Sequence, residues 1–243
     1  MRNIFQALFG KREAVNTALP TLAVDLPFEM IAVPGAEALA VRDQLRSKGG
    51  LTPVILGSQE DVQLLVEISS SAGETPEKII DEASRLDVAA WLALRRQDNP
   101  EVYGTQLGDW PDEAPEAPGL SVHLDPLTRQ PKKTVILALV PTPASWQVPA
   151  HLDFGGWNEC PPPAVHVALH HKWHQDFGAD IACLSSDVLE CTVARSPTTR
   201  EAALALAREQ FLYCPDIVHQ GVGSVEALAA SLLTANTWYF WWD

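Results

Sequence analysis

The segment of residues 157–161 brings together side chains of the types used in nucleophilic catalysis. Asn158 supplies an amide, Glu159 a carboxylate and Cys160 a thiol, immediately before a predicted helix that carries His166. A thiol at a helix N-terminus has a lowered pKa, because the backbone N–H groups and the helix dipole stabilise the thiolate. With a histidine as general base, the pattern predicts a Cys–His pair in a hydrolase or a transferase. The candidate catalytic residues are therefore Cys160, His166 and Glu159.

The spacing of Cys160 and His166 argues against this hypothesis. His166 follows Cys160 by six residues, which would place it about 9 Å along a helix axis. His170 is the other candidate base on this helix, and otherwise a more distant residue such as His219 or His151 would have to act. The competing interpretation is that Asn158 and Glu159 cap the helix and that Cys160 packs in the core.

Three histidines of the same predicted helix recur every four residues: His166, His170 and His174. Neighbours at this spacing lie on one face of a helix, where two of them could bind a metal. No Glu follows His166, so the metalloprotease pattern is absent. We expect a polar helix face here, with no metal and no other cofactor.

Three further carboxylates are candidate binding residues. Asp187 lies in the turn of a predicted hairpin and Glu190 on the strand after it, where a carboxylate pair can bind a divalent cation or act in acid–base catalysis. The alternative is a turn residue followed by an exposed strand residue. Asp216 follows a predicted helix and either caps the next turn or pairs with Arg208. The predicted binding residues are Trp157, Asn158, Glu159, Asp187, Glu190 and Asp216.

Residues 1–97 predict an N-terminal α/β portion in which short strands alternate with helices. Strands are expected at 28–33 and 52–56, and helices at 36–48, 58–68 and from Thr75 to Leu94. Ser58 and Asp61 form a capping-box pattern, and Pro76 stands at the first position of a helix. Residues 4–9 are expected to form a short amphipathic helix.

Residues 98–120 differ in composition from the sequence on either side. They contain six acidic side chains and four prolines but no Lys or Arg. This composition predicts an acidic, proline-rich linker or a long surface loop. Such a loop is either simply solvated or serves as a docking arm for a basic partner.

Residues 121–243 predict a C-terminal domain. The apolar run at 134–140 is typical of a strand covered on both faces. Helices are expected at 162–177, 198–213 and 224–233, and a hairpin at 179–195. The predicted fold is therefore α/β, with a mixed sheet flanked by helices and a smaller N-terminal α/β portion.

The aromatic residues Trp238 to Trp242 are too apolar for a solvated tail, so they predict a buried C-terminal strand in the sheet. Aromatic side chains also line many ligand sites. A small-molecule pocket is therefore an alternative to plain core packing for the tryptophans of this half, which are Trp157, Trp173, Trp238, Trp241 and Trp242.

Several C-terminal motifs together resemble one known family. They are Gly155-Gly156-Trp157-Asn158-Glu159-Cys160-Pro161, Tyr213-Cys214-Pro215-Asp216-Ile217-Val218 with Gln220-Gly221, and Trp238-Tyr239-Phe240-Trp241-Trp242-Asp243. The combination is similar to a bacterial domain of unknown function, the family numbered 4253. The resemblance implies a bacterial cytosolic protein and supplies no agreed activity. Stand-alone bacterial domains of this kind fit a role such as neutralising a toxin.

The formal net charge of −14 limits the classes of partner. It disfavours nucleic acid and anionic membranes, and it favours a basic protein. No apolar run approaches the roughly 18 residues of a membrane-spanning helix. The four cysteines form no C-x-x-C motif. The first residues do not show the pattern of a secretion signal, so we expect free thiols and a cytoplasmic location.

Two classes of function follow from these patterns. The first is a non-enzymatic protein-binding module, in its most specific form an immunity protein that neutralises a basic toxin. The second is a hydrolase or transferase that uses Cys160 with a histidine, or an Asp/Glu metal site. The oligomeric state does not follow from the sequence.

Overall fold

A six-stranded mixed sheet organises the computed structural model, which describes residues 26–69, 73–103 and 108–243. The strands are β1 (Met30–Val33), β2 (Thr52–Gly57), β3 (Val135–Val140), β4 (Asp180–Leu184), β5 (Val188–Thr192) and β6 (Thr237–Trp241). Their order across the sheet is β1-β3-β2-β4-β5-β6. Neighbouring strands are antiparallel except β2 and β4, which are parallel. The predicted mixed sheet with the aromatic strand in it is confirmed.

Helices surround this sheet and complete the predicted α/β class. They are α1 (Ala38–Arg46), α2 (Gln59–Ser69), α3 (Pro76–Arg85), α4 (Val88–Asp98), α5 (Pro100–Tyr103), α6 (Val148–His151), α7 (Pro163–Phe177), α8 (Arg200–Tyr213) and α9 (Val225–Leu232). A π-helical turn, Ile217–Val222, connects α8 to the start of α9.

Side-chain caps explain where several helices begin. The backbone N–H of Ser58 donates to the Asp61 carboxylate at 2.6 Å, and the Asp61 N–H donates back to Ser58 Oγ at 3.2 Å. This pair is the predicted capping box. Thr75 caps α3 and Ser224 caps α9. The cap of α8 is Thr199, one residue later than the pattern suggested.

The single helix predicted from Thr75 to Leu94 is wrong, because the structure divides it into α3 and α4. Leu86 has an extended conformation that ends α3. The Asp87 carboxylate then accepts from the Ala90 N–H at 3.0 Å and caps α4. Apolar residues at helical spacing continue across this break, so periodicity alone did not reveal it. The side chain of Leu94 is 58% exposed, whereas Leu92 is buried.

The acidic segment is only partly irregular. Helix α4 reaches Asp98, and α5 occupies residues 100–103, which the sequence pattern predicted as extended. From residue 108 to 120 the chain has no helix or strand, and most of its side chains are exposed. The guanidinium of Arg200 lies 4.1 Å from the Trp110 ring centroid, so a cation–π contact holds this part against the start of α8.

The aromatic strand β6 is central to the packing on one sheet face. Trp238, Phe240 and Trp242 point to the same side and are each at most 3% exposed. Trp173 from α7 stacks on Phe240 with ring centroids 5.5 Å apart. The burial predicted for the C-terminal aromatic residues on this side is confirmed.

A smaller core covers part of the opposite face. Its buried side chains come from β1, β2, β3 and β4 and pack with Ala38 and Val41 of α1. All six residues of β3 are buried, which confirms a strand covered on both faces.

A buried ion-pair cluster connects α1 to β4. Arg42, only 3% exposed, donates to one Asp180 oxygen at 2.6 Å, and Arg46 donates to the other at 2.7 Å. Burial raises the Asp180 pKa, but the hydrogen bond from Arg46 and both guanidinium charges outweigh it and hold this pKa below its usual range. No local sequence pattern predicts this cluster, because Asp180 lies 138 residues from Arg42 and 134 from Arg46.

Two other expectations concern the chain as a whole. The helix expected at residues 4–9 lies outside the described residues. Within the described ranges, none of the helices has the length and apolar character needed to cross a membrane.

Candidate functional site

A tight loop places Cys160 beside α7 rather than on its axis. Gly155 has a φ of 111°, and a Cβ there would lie 2.1 Å from the carbonyl oxygen of Pro161. The backbone N–H of Gly156 donates to that same carbonyl at 2.9 Å, and the Cys160 N–H donates to the Trp157 carbonyl at 2.9 Å. These bonds fold residues 155–161 back on themselves. Position 155 requires glycine because of its positive φ and the close approach of the Pro161 carbonyl.

This loop brings the predicted Cys–His pair together. Cys160 Sγ lies 3.4 Å from His166 Nε2. The separation of about 9 Å expected for residues on one helix axis is wrong, because α7 begins only at Pro163. The thiol is nevertheless buried, with Cys160 only 3% exposed.

The electrostatic environment of Cys160 opposes nucleophilic activation. Burial raises its pKa far above the ordinary value of a thiol, and the more distant charge of Arg95 only weakly opposes this. The lowered pKa predicted for a thiol at a helix N-terminus is therefore wrong. A protonated, buried thiol behaves as a small apolar core residue.

His166 belongs to a buried polar chain that continues through Tyr213. His166 Nδ1 lies 2.5 Å from the Tyr213 hydroxyl oxygen, which lies 3.0 Å from His170 Nε2. His170 Nδ1 in turn lies 3.7 Å from Cys191 Sγ. Together with Cys160, these groups form the Cys160–Cys191 chain, and all of its members are at most 3% exposed.

One set of proton positions satisfies this chain. With its proton on Nε2, His166 points that proton toward Cys160 Sγ, 3.4 Å away. His166 Nδ1 then accepts from the Tyr213 hydroxyl, and the Tyr213 oxygen accepts from His170 Nε2–H. His170 Nδ1 remains to accept from the Cys191 thiol. Each N–H, O–H and S–H of these three links has an acceptor.

Burial keeps the two histidines neutral. It lowers the pKa of His166 well below its ordinary value and that of His170 to about 3. His174, the third histidine of the series, instead contacts the Ala179 carbonyl through Nδ1 at 3.0 Å. No group of three or more metal-ligating side chains converges within the described part of the chain.

The other residues of the loop contact three separate parts of the structure. Glu159 accepts from Arg95 at 2.8 Å, and Asn158 Nδ2 donates to the Asp243 carbonyl at 3.0 Å. Trp157 packs edge-on against Phe154, with ring centroids 6.4 Å apart. The alternative that Asn158 and Glu159 cap the helix is wrong, because the N-cap of α7 is Pro162, without a side-chain cap.

Asp187 and Glu190 make different contacts. Asp187 lies in the hairpin turn between β4 and β5, as predicted, and accepts from the Trp241 indole N–H at 3.2 Å. Glu190 is fully buried, which contradicts the alternative of an exposed strand residue. Its carboxylate accepts from the Ser121 N–H at 2.8 Å, from the Ser121 hydroxyl at 2.5 Å and from the Val122 N–H at 3.3 Å. Glu190 thus fastens the end of the acidic segment to β5.

Asp216 lies at the rim of a cavity beside β6. It accepts from Gln220 Nε2 at 3.1 Å and from the Asp243 N–H at 3.2 Å. The cavity has a volume of about 270 Å³ and is bounded by β6, α8, α9, the π-helical turn and residues 116–118. We call it the β6 cavity. Of the five tryptophans considered for a pocket, Trp238 and Trp241 line it.

Two buried donors among the residues that line the β6 cavity lack a partner. Gln210 Nε2 and Trp238 Nε1 have no hydrogen bond to any described residue, although their residues are only 1% and 3% exposed. Such groups are rare in folded proteins and call for an acceptor. Glu116 and Asp216 add negative charge, and none of the described lining residues is Lys or Arg.

The sequence contains a signal for the importance of Gln210. Ala203, Leu206 and Ala207 form the buried face of α8, and Gln210 continues that face at helical spacing. A polar side chain in line with an apolar face is a candidate for a specific contact.

One family model matches the C-terminal part of the chain, and its description gives no activity. The family model described as "Domain of unknown function (DUF4253)" matches residues 136–243. No curated protein and no solved structure matches the chain.

Proposed function

We propose that this chain, whose residues 136–243 belong to the DUF4253 family of unknown function, is a non-enzymatic binding protein for a basic protein. In its most specific form, the proposal is an immunity protein of a bacterium that blocks a basic toxin. The observation that carries the proposal is the acidic β6 cavity, whose described lining includes carboxylates and no basic side chain.

The distribution of charge around the cavity supports this proposal. Asp109, Asp112 and Glu113 are exposed on the segment that leads to the cavity rim at Glu116. They contribute to the net charge of −14. Acidic surfaces accelerate association with basic proteins through long-range attraction, which salt screens.

The alternative enzymatic function receives less support from the geometry. Cys160 and His166 are in contact, but the thiol is buried and its pKa is raised. The carboxylates of Asp187 and Glu190 are occupied by hydrogen bonds from Trp241, Ser121 and Val122. A nucleophile needs an accessible, activated group, and neither candidate site provides one.

The test is retention of a basic protein by the immobilised full chain. A lysate of the source bacterium is passed over the protein at low salt, and retained proteins are identified by mass spectrometry. The expected result is a basic protein that elutes as salt is raised, since screening weakens the attraction. Its binding is then measured with both proteins purified.

Two matched variants show whether the charges of the acidic segment, rather than any exposed acidic charges, speed association. The first neutralises the acidic segment with Asp109→Asn, Asp112→Asn and Glu113→Gln. The second removes the same number of exposed charges elsewhere, with Glu60→Gln, Glu77→Gln and Glu82→Gln. The first should slow association by about tenfold, while the second should change it by less than about twofold. Equal effects, or no basic protein retained even at low salt, would refute the proposed function.

A further inference from the structure

The strand β6 is the outermost strand of the sheet on the side of the β6 cavity. The Val193 N–H donates to the Asn236 carbonyl at 2.8 Å, and the Trp242 N–H donates to the Asp187 carbonyl at 3.1 Å. Because backbone groups alternate in direction along an antiparallel strand, those of Tyr239 point away from β5. The outer edge of β6 therefore directs backbone groups of Tyr239 toward the cavity that this residue lines.

A second contact agrees with this alternation. Trp241 is two residues beyond Tyr239, and its carbonyl also faces outward, where it accepts from Cys214 Sγ at 2.9 Å. Thr237, two residues before Tyr239, has its hydroxyl against the Pro118 carbonyl. The contacts at Thr237 and Trp241 thus cover the two ends of the outer edge of β6. The middle of that edge, at Tyr239, faces the cavity.

From this arrangement we infer that an extended segment of the basic partner adds to the outer edge of β6 at Tyr239 and inserts one arginine side chain into the β6 cavity. The identity of the occupant rests on the proposed function. Addition of a strand to a sheet edge is a common mode of peptide recognition, in which main-chain bonds supply affinity and a side-chain pocket supplies specificity.

The chemistry of the lining fits both parts of such a segment. The partner's main chain would pair with the outward-facing backbone groups of Tyr239, which lines the cavity. The guanidinium would lie near the carboxylates of Glu116 and Asp216 and the rings of Tyr239 and Trp241. Arginine pairs with carboxylates through two hydrogen bonds and stacks on aromatic faces, which lysine does less well.

The size of the cavity favours one inserted side chain over a larger ligand. Its volume of about 270 Å³ lies at the lower limit of the range of about 300–1,000 Å³ typical of ligand pockets. A purely cationic small molecule would also leave the outward-facing backbone groups of Tyr239 without main-chain partners. A peptide supplies the positive charge and the main-chain groups together.

The test uses an acetylated and amidated Val-Arg-Val tripeptide and the full chain labelled with ¹⁵N. The control peptide carries citrulline in place of arginine, which keeps the shape and removes the charge. NMR titration follows the indole N–H of Trp238, assigned with Trp238→Phe, and the side-chain amide of Gln210. The arginine peptide should shift both signals and bind about tenfold more tightly than the citrulline peptide, a difference of about 1.4 kcal/mol.

Two variants of the acidic segment test whether the peptide binds in the β6 cavity. Ala117→Trp enlarges a half-buried lining residue, whereas Ala114→Trp makes the same change at an exposed position three residues earlier. The first should weaken binding of the arginine peptide by at least about tenfold, and the second should leave it within about twofold.

Equal affinity for the two peptides, or unchanged binding by Ala117→Trp, overturns the inference. The peptide experiment needs no partner protein, so its failure is distinct from failure of the proposed function. If the immobilised chain retains a basic protein but the arginine peptide does not bind, the inference is wrong and the proposed function stands. If the peptide shifts Trp238 and Gln210 but no partner is retained, the cavity assignment stands without the proposed function.

Discussion

The hydroxyl oxygen of Tyr213 lies 2.5 Å from Nδ1 of His166, and both side chains are completely buried. The same oxygen contacts His170, so one phenol connects two imidazoles of neighbouring turns of α7. A hydrogen-bonded chain of neutral groups in a protein core stabilises one arrangement strongly, because each unpaired member would be costly.

Tyr213→Phe should therefore destabilise the fold. It removes the central hydroxyl and leaves polar atoms of His166 and His170 without partners in a dry core. We expect the free energy of unfolding to decrease by about 1–3 kcal/mol, measured by urea denaturation. Tyr103→Phe is the matched control, since the buried Tyr103 hydroxyl has no hydrogen bond to a described residue. A loss as large in the control as in Tyr213→Phe would contradict this account of the Cys160–Cys191 chain.

The stability should also fall as the pH decreases below about 6.5. The folded chain keeps His166 and His170 neutral because burial lowers the pKa of each, that of His170 to about 3. The unfolded chain binds protons at the ordinary histidine pKa of about 6.5. Below that pH the unfolded state binds more protons, so each histidine lowers the free energy of unfolding by about 1.4 kcal/mol per pH unit until its folded pKa is reached.

Unfolding by urea at a series of pH values between about 7 and 5 measures this slope. His170→Gln should reduce the slope by the contribution of one proton. Gln175→Ala changes an exposed, non-titratable residue of the same helix and should leave the slope intact. An unchanged slope in His170→Gln would show that protonation of His170 does not cause the pH dependence of the free energy of unfolding.

The ion-pair cluster between α1 and β4 should be worth more than the exposed pairs. Asp180→Asn leaves Arg42, which is 3% exposed, with a buried charge and a weakened set of acceptors. We expect a loss of about 3 kcal/mol in the free energy of unfolding. Asp81→Asn breaks the exposed pair with Arg85 and should cost less than about 0.5 kcal/mol. Comparable losses of unfolding free energy in the two variants would mean that burial does not determine how much these ion pairs stabilise the fold.

The cysteines should resist modification in the folded protein. All four are buried free thiols, and burial raises the pKa of each. A thiol-specific disulfide reagent should therefore react at the rate of unfolding rather than at the rate of a small free thiol. The same reagent in concentrated denaturant should react quickly with all four thiols. Fast reaction of native Cys160, identified by peptide mapping, would restore the nucleophile hypothesis.

Local sequence patterns predicted the elements that depend on near neighbours. Ser58 with Asp61, Thr75 and Ser224 each cap a helix through contacts only three residues long. The alternation of Trp238 to Trp242 likewise predicted a strand with buried aromatic side chains. In these cases the bonding partner is in the same pattern, so the sequence alone contains the interaction.

Contacts between distant residues could not be derived in this way. Glu190 accepts from Ser121, which is 69 residues earlier, and Tyr213 bonds to a histidine 47 residues earlier. A single sequence shows the polar residue but not what it meets. The β6 cavity is the clearest example, because its lining comes from the acidic segment, two helices, a π-helical turn and a strand. The helix break at Leu86 was missed for another reason, since apolar spacing continued through it.

The strand order has a practical meaning for studies of the family domain. Residues 136–243 include β3, but β3 pairs only with β1 and β2, and β2 alone joins it to β4. A fragment that begins at residue 136 would therefore contain β3 without either of its partner strands. Beside it would lie a separate three-stranded sheet of β4, β5 and β6. Both edges of β3 and the edge of β4 that had faced β2 would lie open, and such edges invite aggregation. Expression trials of the family segment should retain the first two strands or expect inclusion bodies.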